Sequence, residues 1–546
     1  MSTTRRVHRN KRGAILVLSM IFIAMFSALA VALAGASATS VQVASNHHRA
    51  NVALHAAQSG LECAKYIVST ANFGETGLNY VTVAQADQVW ADLCQHAQNL
   101  ALDGQAMPAP SSFSDAGGSG EAMATPVINL GNAGACFAVR FYRYDSDPFV
   151  IRTQSVGTDG QISRRIRMEM DITKDREVLT YAIASAGRMW LTGDTTIHGD
   201  LYSSWDRADI SPFNMTDEST VLGTINTVLE LDDIDSQSWQ METLDVNDNP
   251  MDVNGMPLAQ NYGDRYYESD DEVQAYHEGV NYGQLAGIDV PGMSISDYNT
   301  DIYNSGLTQI PSCPSDDKTV EYFPHASGNY TQPKYSSSHK YYRHTYENQT
   351  FTDALLPINR HALFKNCTFE GVLYVDCYKS STSQSKSNNV RFEDCTFNGV
   401  IITDVPQPFD WVDNCLYFTG AATFNNQSSV QEATILAPHF NVNLGNTNPQ
   451  QSDNNVLTGA IVGGIVDVRG NAQIDGTIIS MYDTTPHSSG YVTNIGATLN
   501  DGGSETTELG DVGVIGITPQ EDMMLPSGIT SPIIIIPKQD TYAECS

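Results

Sequence analysis

Positive charge is scarce in this chain. Its 546 residues carry 29 Lys and Arg against 62 Asp and Glu, for a net charge of −33. Five of the cations, Arg5, Arg6, Arg9, Lys11 and Arg12, precede the first apolar run, so the body beyond them is more acidic still. A body of this charge repels phosphate backbones, which argues against nucleic acid as a partner and leaves divalent cations and basic surfaces as easier ones. The nine cysteines form no CxxC and no Cys/His metal spacing, so neither a zinc ribbon nor any other metal site is implied. No GxSxG, HExxH or P-loop occurs either, and nothing suggests a cofactor. The length exceeds one ordinary domain, and 41% hydrophobic residues suffice for real cores.

Charge is also missing from one long stretch. Ala14 to Ala36 is a run of 23 uncharged residues, and the next charge after Arg12 is Arg49. As a helix the run is about 34 Å long, enough for a hydrocarbon core of about 30 Å. The basic cluster lies wholly upstream, so the positive-inside rule puts the N-terminus in the cytoplasm and the body outside it, periplasmic or at the cell surface. The rival is a cleaved secretory signal, for which Ala34-Gly35-Ala36 and Ala36-Ser37-Ala38 both offer small-x-small sites. Secretory apolar regions run about 7–15 residues, shorter than this one. Helical patterning also continues past those sites, with Ala50, Leu54, Ala57, Leu61, Ala64 and Val68 forming one apolar stripe.

Lys11-Arg12-Gly13-Ala14-Ile15-Leu16-Val17-Leu18 resembles the processing site of type IV pilin-like proteins. Val52-Ala53-Leu54-His55-Ala56-Ala57-Gln58-Ser59-Gly60-Leu61-Glu62 is similar to the signature of the subset with PilX-type N-termini. The resemblance is close over residues 11 to about 70 and loose to about 176. It implies cleavage by a prepilin peptidase between Gly13 and Ala14, with Ala56, Ala57, Gln58, Ser59, Gly60 and Leu61 as family signature. It also implies a membrane and other pilin-like or secretion-system subunits as partners. Most major pilins carry glutamate as the fifth residue after the cut. Leu18 stands there here, which favours a tip, initiator or sparse subunit over a bulk one.

The expected fold is mainly β with a long N-terminal helix. A leader (1–13), a transmembrane helix (14–36) and an amphipathic extension (37–70) precede a small α+β head (71–176). Within the head a helix is expected near Ala84–Leu100. Strands follow at Cys136–Tyr144 and Phe149–Val156. After the turn Gly157–Gly160, Ile166, Met168, Met170 and Ile172 alternate with charged residues. Cys63, Cys94 and Cys136 fall here, as a pair and a thiol or as buried thiols.

Beyond the head, Phe364-Lys365-Asn366-Cys367-Thr368-Phe369-Glu370-Gly371-Val372-Leu373 repeats 28 residues later as Phe392-Glu393-Asp394-Cys395-Thr396-Phe397-Asn398-Gly399-Val400-Ile401. Asp413-Asn414-Cys415-Leu416 is a weaker third copy, and Gly193–Leu201 parallels Gly470–Ile478. Short β-runs ended by Asn, Asp or Gly at this recurrence point to a right-handed parallel β-helix, with Cys367, Cys395 and Cys415 as one interior stack or as a disulfide between coils. A β-sandwich is the alternative. First coils are expected at 177–204, repeats at 356–485 and a capping segment at 486–546. Between them, 205–355 holds 26 acids, 6 cations and 13 of the 25 tyrosines, which reads as a large insert. In it, Asp217-Glu218-Ser219-Thr220 ahead of Val221, Leu222, Ile225, Val228 and Leu229 predicts a capped helix.

Candidate chemistry is sparse. Asp245, Asn247 and Asn249 have calcium-loop spacing, but Pro250 and Met256 stand where glycine and glutamate are needed. The insert's tyrosines beside carboxylates suit a surface polysaccharide, or simply pack inside the lobe. Polysaccharide-acting enzymes need clustered acids on one coil face. Asp232-Asp233, Asp270-Asp271 and Asp316-Asp317 all lie in the insert, and Lys365, Glu370, Arg391, Glu393 and Asp394 offer no paired carboxylates. The reading is therefore a non-catalytic, membrane-anchored pilin-like subunit displaying a β-helical domain, with a tethered polysaccharide-acting enzyme or a carbohydrate-binding adhesin as alternatives. The mature protein should begin at Ala14, and Gly13→Val should retain the leader. Intact mass of protein from native membranes checks this, and a mature start at Ser37 or Thr39 would instead mean ordinary secretion.

Overall fold

The computed structural model describes residues 11–102, 104–131, 134–191, 195–207, 212–215, 219–230, 242–244, 250–252, 276–277, 280–283, 292–293, 306–312, 318–325, 334–377, 388–405, 414–425, 433–444, 457–468, 472–481, 492–495, 514–520 and 523–545. The chain divides into two compact units. The first is 1–74, 81–173 and 533–546, and the second is 75–80 and 174–532.

In the first unit α1 runs unbroken over Lys11–Ser69. Its large apolar side chains from Ile15 to Val43 are exposed, and its lower stripe, Ala53, Ala57, Leu61, Ala64 and Val68, is buried. The second helix, α2 (Val83–Asn99), starts at a capping box in which Thr82 and Gln85 satisfy each other's backbone N–H groups, and it buries Val89, Trp90 and Leu93. Both helices pack on an antiparallel sheet of Ser111–Asp115, Gly118–Ala124, Cys136–Tyr144, Asp147–Thr158 and Ser163–Lys174. The expected hairpin is present, and Ile166, Met168, Met170 and Ile172 all face the core. Its turn is displaced, however. Asp159 N–H bonds Ile162 O at 3.2 Å, and Gly157 belongs to the strand before it.

The C-terminal segment, expected to cap the repeats, sends its last residues elsewhere. Within strand Ile529–Cys545, Ile533 and Ile535 enter the core of the first unit. Glu169 N–H donates to Thr541 Oγ1 at 2.9 Å, and Lys538 lies 2.8 Å from Asp171. Alternation decides this: in a run of four isoleucines, alternate ones point into the core. Cys63, Cys94 and Cys136 are free thiols, as are all eight described cysteines.

The second unit is a stack of parallel coils, as the repeats predict. The two copies pair in full register, Phe364 on Phe392 and Phe369 on Phe397. Their rings form two interior columns. In one, Tyr346, Phe364, Phe392 and Phe418 stack at 5.0, 5.5 and 5.0 Å. In the other, Phe351, Phe369, Phe397 and Phe424 stack at 5.4, 5.2 and 4.8 Å. Rings of the two columns meet edge to face, as their quadrupoles prefer. Three successive coils turn at a left-handed corner, with Asn348, Asn366 and Asp394 at φ of 54°, 48° and 55°. Asn and Asp tolerate that region best among residues with a side chain. The third cysteine departs from expectation. Cys415 pairs with Asn389 and packs with Tyr417, whereas Ala422 precedes Thr423, the partner of Thr396, and so takes the place next to Cys395.

The order of coils is not the order of the chain. One column of paired residues reads Ala354, Leu373, Ile401, Ile435, Ile461, Ile478, Ile183, Leu201, Ile225 and Val280. The numbers climb, drop at a seam between Ile478 and Ile183, and climb again. The chain therefore enters this stack in the middle. At the seam, strand Ile515–Thr518 lies between Thr195–Ile197 and Ala472–Asp475. This explains the paired short repeats, whose described parts at 195–201 and 472–478 flank one composite coil.

The expected helix is corrected accordingly, and the described strands from the expected insert belong to the stack. Within 205–355, strands Thr220–Val221, Ile225–Thr227, Tyr276–His277 and Val280–Asn281 extend one end of the stack, and Thr308–Gln309, Lys334–Glu347 and Thr350–Leu356 build the other. Val221, Ile225 and Leu229 do face one core. Their spacing of four arises from strands meeting at a coil corner, which a sequence pattern cannot tell from a helical stripe.

Phe369→Ala and Phe397→Ala should each cost roughly 3–5 kcal/mol, as truncated core aromatics do. The double variant should depart from additivity because the two rings share one cavity. Cys395→Ser should cost less but measurably, since it buries a hydroxyl where a thiol fitted. Thermal unfolding of the full chain checks all three.

Candidate functional site

The residues singled out by sequence gather on α1. Gly13 and Ala14 lie in its first turns. Leu18 is exposed on the apolar stretch that follows. The signature lies further along and splits by helical phase. Ala56, Ala57, Gly60 and Leu61 turn inward and are buried, and Gln58 and Ser59 are exposed. Gln58 Oε1 lies 3.1 Å from His55 Nδ1, and Ser59 Oγ donates back to His55 O at 2.9 Å. The polar half of the signature is thus held within the helix.

The inward half makes a backbone-close joint. A Cβ placed on Gly60 would stand 2.2 Å from Ser155 Oγ and 2.8 Å from Phe137 Cδ2. One placed on Gly157 would stand 2.2 Å from Ala57 N and 2.3 Å from Ala53 O. Helix and sheet therefore touch main chain to main chain, which only glycine and alanine permit. Gly157 is the partner sequence reading missed, since its neighbours mark it as a turn residue. At the lower edge of the joint Arg49 reaches the hairpin turn, donating to Gln161 Oε1 and lying 3.8 Å from Asp159. Backbone N–H groups of Ile162 and Gln161, and then Arg49, hold the Asp159 carboxyl below its usual range.

The head also has an open cavity of about 540 Å³ beside α2, lined by Asp87, Trp90, Cys94, Glu121 and Arg143 among others. Its polar groups engage one another. Trp90 Nε1–H donates to Glu121 at 2.7 Å, and Arg143 lies 2.9 Å from Asp87 with its guanidinium 5.8 Å from the indole. Burial and then Glu121 push the Cys94 thiol up to about 12, so it is no nucleophile at neutral pH.

On the coils, Lys365 and Arg391 both reach Glu393, at 3.6 and 3.2 Å, and Glu370 accepts from Asn398 at 2.8 Å. Asp394 forms a corner and accepts from Ala421 N–H at 2.8 Å. Lys365–Glu393, Glu370–Asn398 and Asp394–Ala421 tie one coil to the next, and Arg391 pairs with Glu393 within its own strand. No cluster of His, Cys, Asp and Glu able to hold a metal occurs among the described residues. Asp245, Asn247, Asn249 and the three Asp-Asp pairs lie outside them.

Residues 12–62 match the family model described as PilX N-terminal, a span that takes in both the Gly13–Ala14 junction and the joint at Ala56–Leu61. That segment is PilX-type, and the chain is pilin-like through it. No curated protein matches the chain. Among solved structures, the competence-associated pilin ComZ from Thermus thermophilus pairs with 90% of this chain and 97% of its own at 14% identity. Its TM-score is 0.22, and the pairing carries no argument about fold.

Gly157→Val and Gly60→Val should each destabilise the first unit by about 1–3 kcal/mol, the usual cost of overpacking, with backbone displacement adding to it. Gly131→Ala, at a position where nothing lies within 4 Å but φ is +68°, should cost less. Thermal unfolding followed through Trp90 fluorescence checks the order.

Proposed function

We propose that this chain is a membrane-anchored, pilin-like structural or assembly subunit, of the minor-pilin or pseudopilin kind, that displays its β-helical unit outside the cytoplasm. One observation carries the reading: the PilX-type segment is a single helix whose signature seats on the head while its apolar stretch from Ile15 to Val43 stays uncovered. An uncovered apolar helix of this length needs lipid or neighbouring helices as its solvent. A prepilin peptidase, by this reading, cuts between Gly13 and Ala14 at the cytoplasmic face. Leu18 in place of a glutamate leaves no carboxylate for a neighbour's N-terminal amine, which suits a tip, initiator or sparse subunit.

The role is structural. On the coils Lys365 reaches Glu393 of the next coil and Arg391 reaches the same carboxylate along its own strand, and in the head cavity Trp90 pairs with Glu121 and Arg143 with Asp87. Partners by this reading are the membrane, the peptidase and other pilin-like or secretion-system subunits.

A thiol reagent that does not cross the inner membrane should label Gly117→Cys in intact cells and leave Thr3→Cys unlabelled until the cells are opened. Equal labelling of the two positions would refute the orientation.

A further inference from the structure

The end of the head nearest the apolar part of α1 carries several arginines. Arg49 follows Val43 by six residues, about 9 Å of helix. The hairpin turn after Gly157 is brought to that level by its contact with Ala53 and Ala57. Next to the turn the returning strand carries Arg164, Arg165 and Arg167, all exposed and none in an ion pair among the described residues. Register places Arg164 opposite Gly157, on the face towards α1, and Arg165 and Arg167 opposite Val156 and Gln154, on the other face. The one carboxylate of the turn, Asp159, is occupied by Arg49 and by the N–H groups of Gln161 and Ile162.

A neighbouring turn completes this end. Leu130 N–H bonds Ala135 O at 2.8 Å, and a Cβ on Gly134 would stand 3.9 Å from Asp159 O. Residues 125–139 contain no charged side chain. Val127 and Leu130 there are 57% and 37% exposed. Free arginines and exposed aliphatic side chains thus share one end of a unit whose helix continues, apolar and uncovered, from the same end.

We propose that this end of the head is a membrane-surface contact that binds the phosphate headgroups of anionic phospholipids. The proposal rests on the reading of α1 as a membrane anchor. A chain of net charge −33 is repelled by an anionic bilayer, so cations favour approach only where the chain meets the surface. With the exposed apolar stretch ending at Val43, Arg164 and Arg165 come within side-chain reach plus a Debye length of about 8–10 Å from the headgroup plane. Guanidinium groups match phosphate geometry, and each basic group near an anionic surface strengthens attachment. Leu130 and Val127 add apolar area at the boundary.

The test uses the full chain in vesicles of phosphatidylcholine, alone or mixed with phosphatidylglycerol, with a fluorophore at position Ser163 and a quencher on the lipid headgroups. Quenching is expected in the mixed vesicles, weaker in phosphatidylcholine, and reduced by salt. Arg164→Gln, Arg165→Gln and Arg167→Gln should each weaken the docked state about fivefold, and Lys at the same positions should largely restore it. Equal quenching in both lipids, or quenching indifferent to the three substitutions, would overturn the proposal. So would displacement by inorganic phosphate at matched ionic strength, which would mark a free-anion site, or attachment of this end to another subunit without lipid dependence. Flotation separates the two readings. A chain that floats with vesicles without headgroup contact sinks this proposal alone, and a chain that does not float sinks the anchor as well.

Discussion

A parallel coil cannot satisfy its own backbone. Its N–H and C=O groups point along the stack, and only the coils on either side can pair them. Everything in the second unit follows from that requirement. It forces the register that puts Phe369 on Phe397 and Ile401 on Ile435. It also explains the seam. The strand where the chain enters, Tyr181–Ser185, needs neighbours on both sides, and finds Asp200–Ser203 on one and Ile478–Ser480 on the other. The interior there is as dry as elsewhere, with Ile183, Leu201 and Ile478 wholly buried. Because the pairing of Ile183 with Ile478 joins residues far apart in sequence, closing the seam carries a large loop-closure cost.

The first unit depends on a different constraint, the close approach of helix to sheet. Ala53 and Ala57 on one side and Gly157 on the other bring backbones together without side chains between them, while Gly60 leaves room for the side chains of Ser155 and Phe137. Such a joint is rigid because any rotation of the helix drives a larger side chain into the strand. One unbroken helix therefore carries both the exposed apolar stretch and the part seated on the sheet. The same joint sets the height of the hairpin turn, and with it the level at which Arg164, Arg165 and Arg167 stand along α1.

Outside the coils, charges serve the stack. Lys365 and Glu393 bridge neighbouring coils, with Arg391 beside Glu393 on the same strand, and Asn366 donates to Asn348 across a corner at 2.6 Å. Exposed pairs of this kind contribute little stability each. They keep like charges apart in a chain with twice as many acids as bases, and the corners they occupy need residues that accept a positive φ.

What depends on near neighbours can be read from the order of residues. The uncharged run from Ala14 to Ala36, the stripe through Ala57 and Leu61, the capped α2, the alternation through Ile166–Ile172 and the 28-residue repeat all follow from local periodicity, and all of them stand in the structure. Ala57 and Leu61 extend the apolar stripe that the sequence shows, but Gly157 opposite them looks like any turn glycine until the helix is laid on it. Tertiary structure alone decided the rest. It displaced Cys415 from the cysteine column, because the third copy shares residue types with the others but not their place in the coil. It turned the expected helix after Thr220 into two coil strands, because a spacing of four serves a corner as well as a helical face. It sent Ile533 and Ile535 to the first unit and joined Ile183 to Ile478. In each case the deciding partner lies far along the chain, and a local pattern holds no information about which distant backbone will complete its hydrogen bonds.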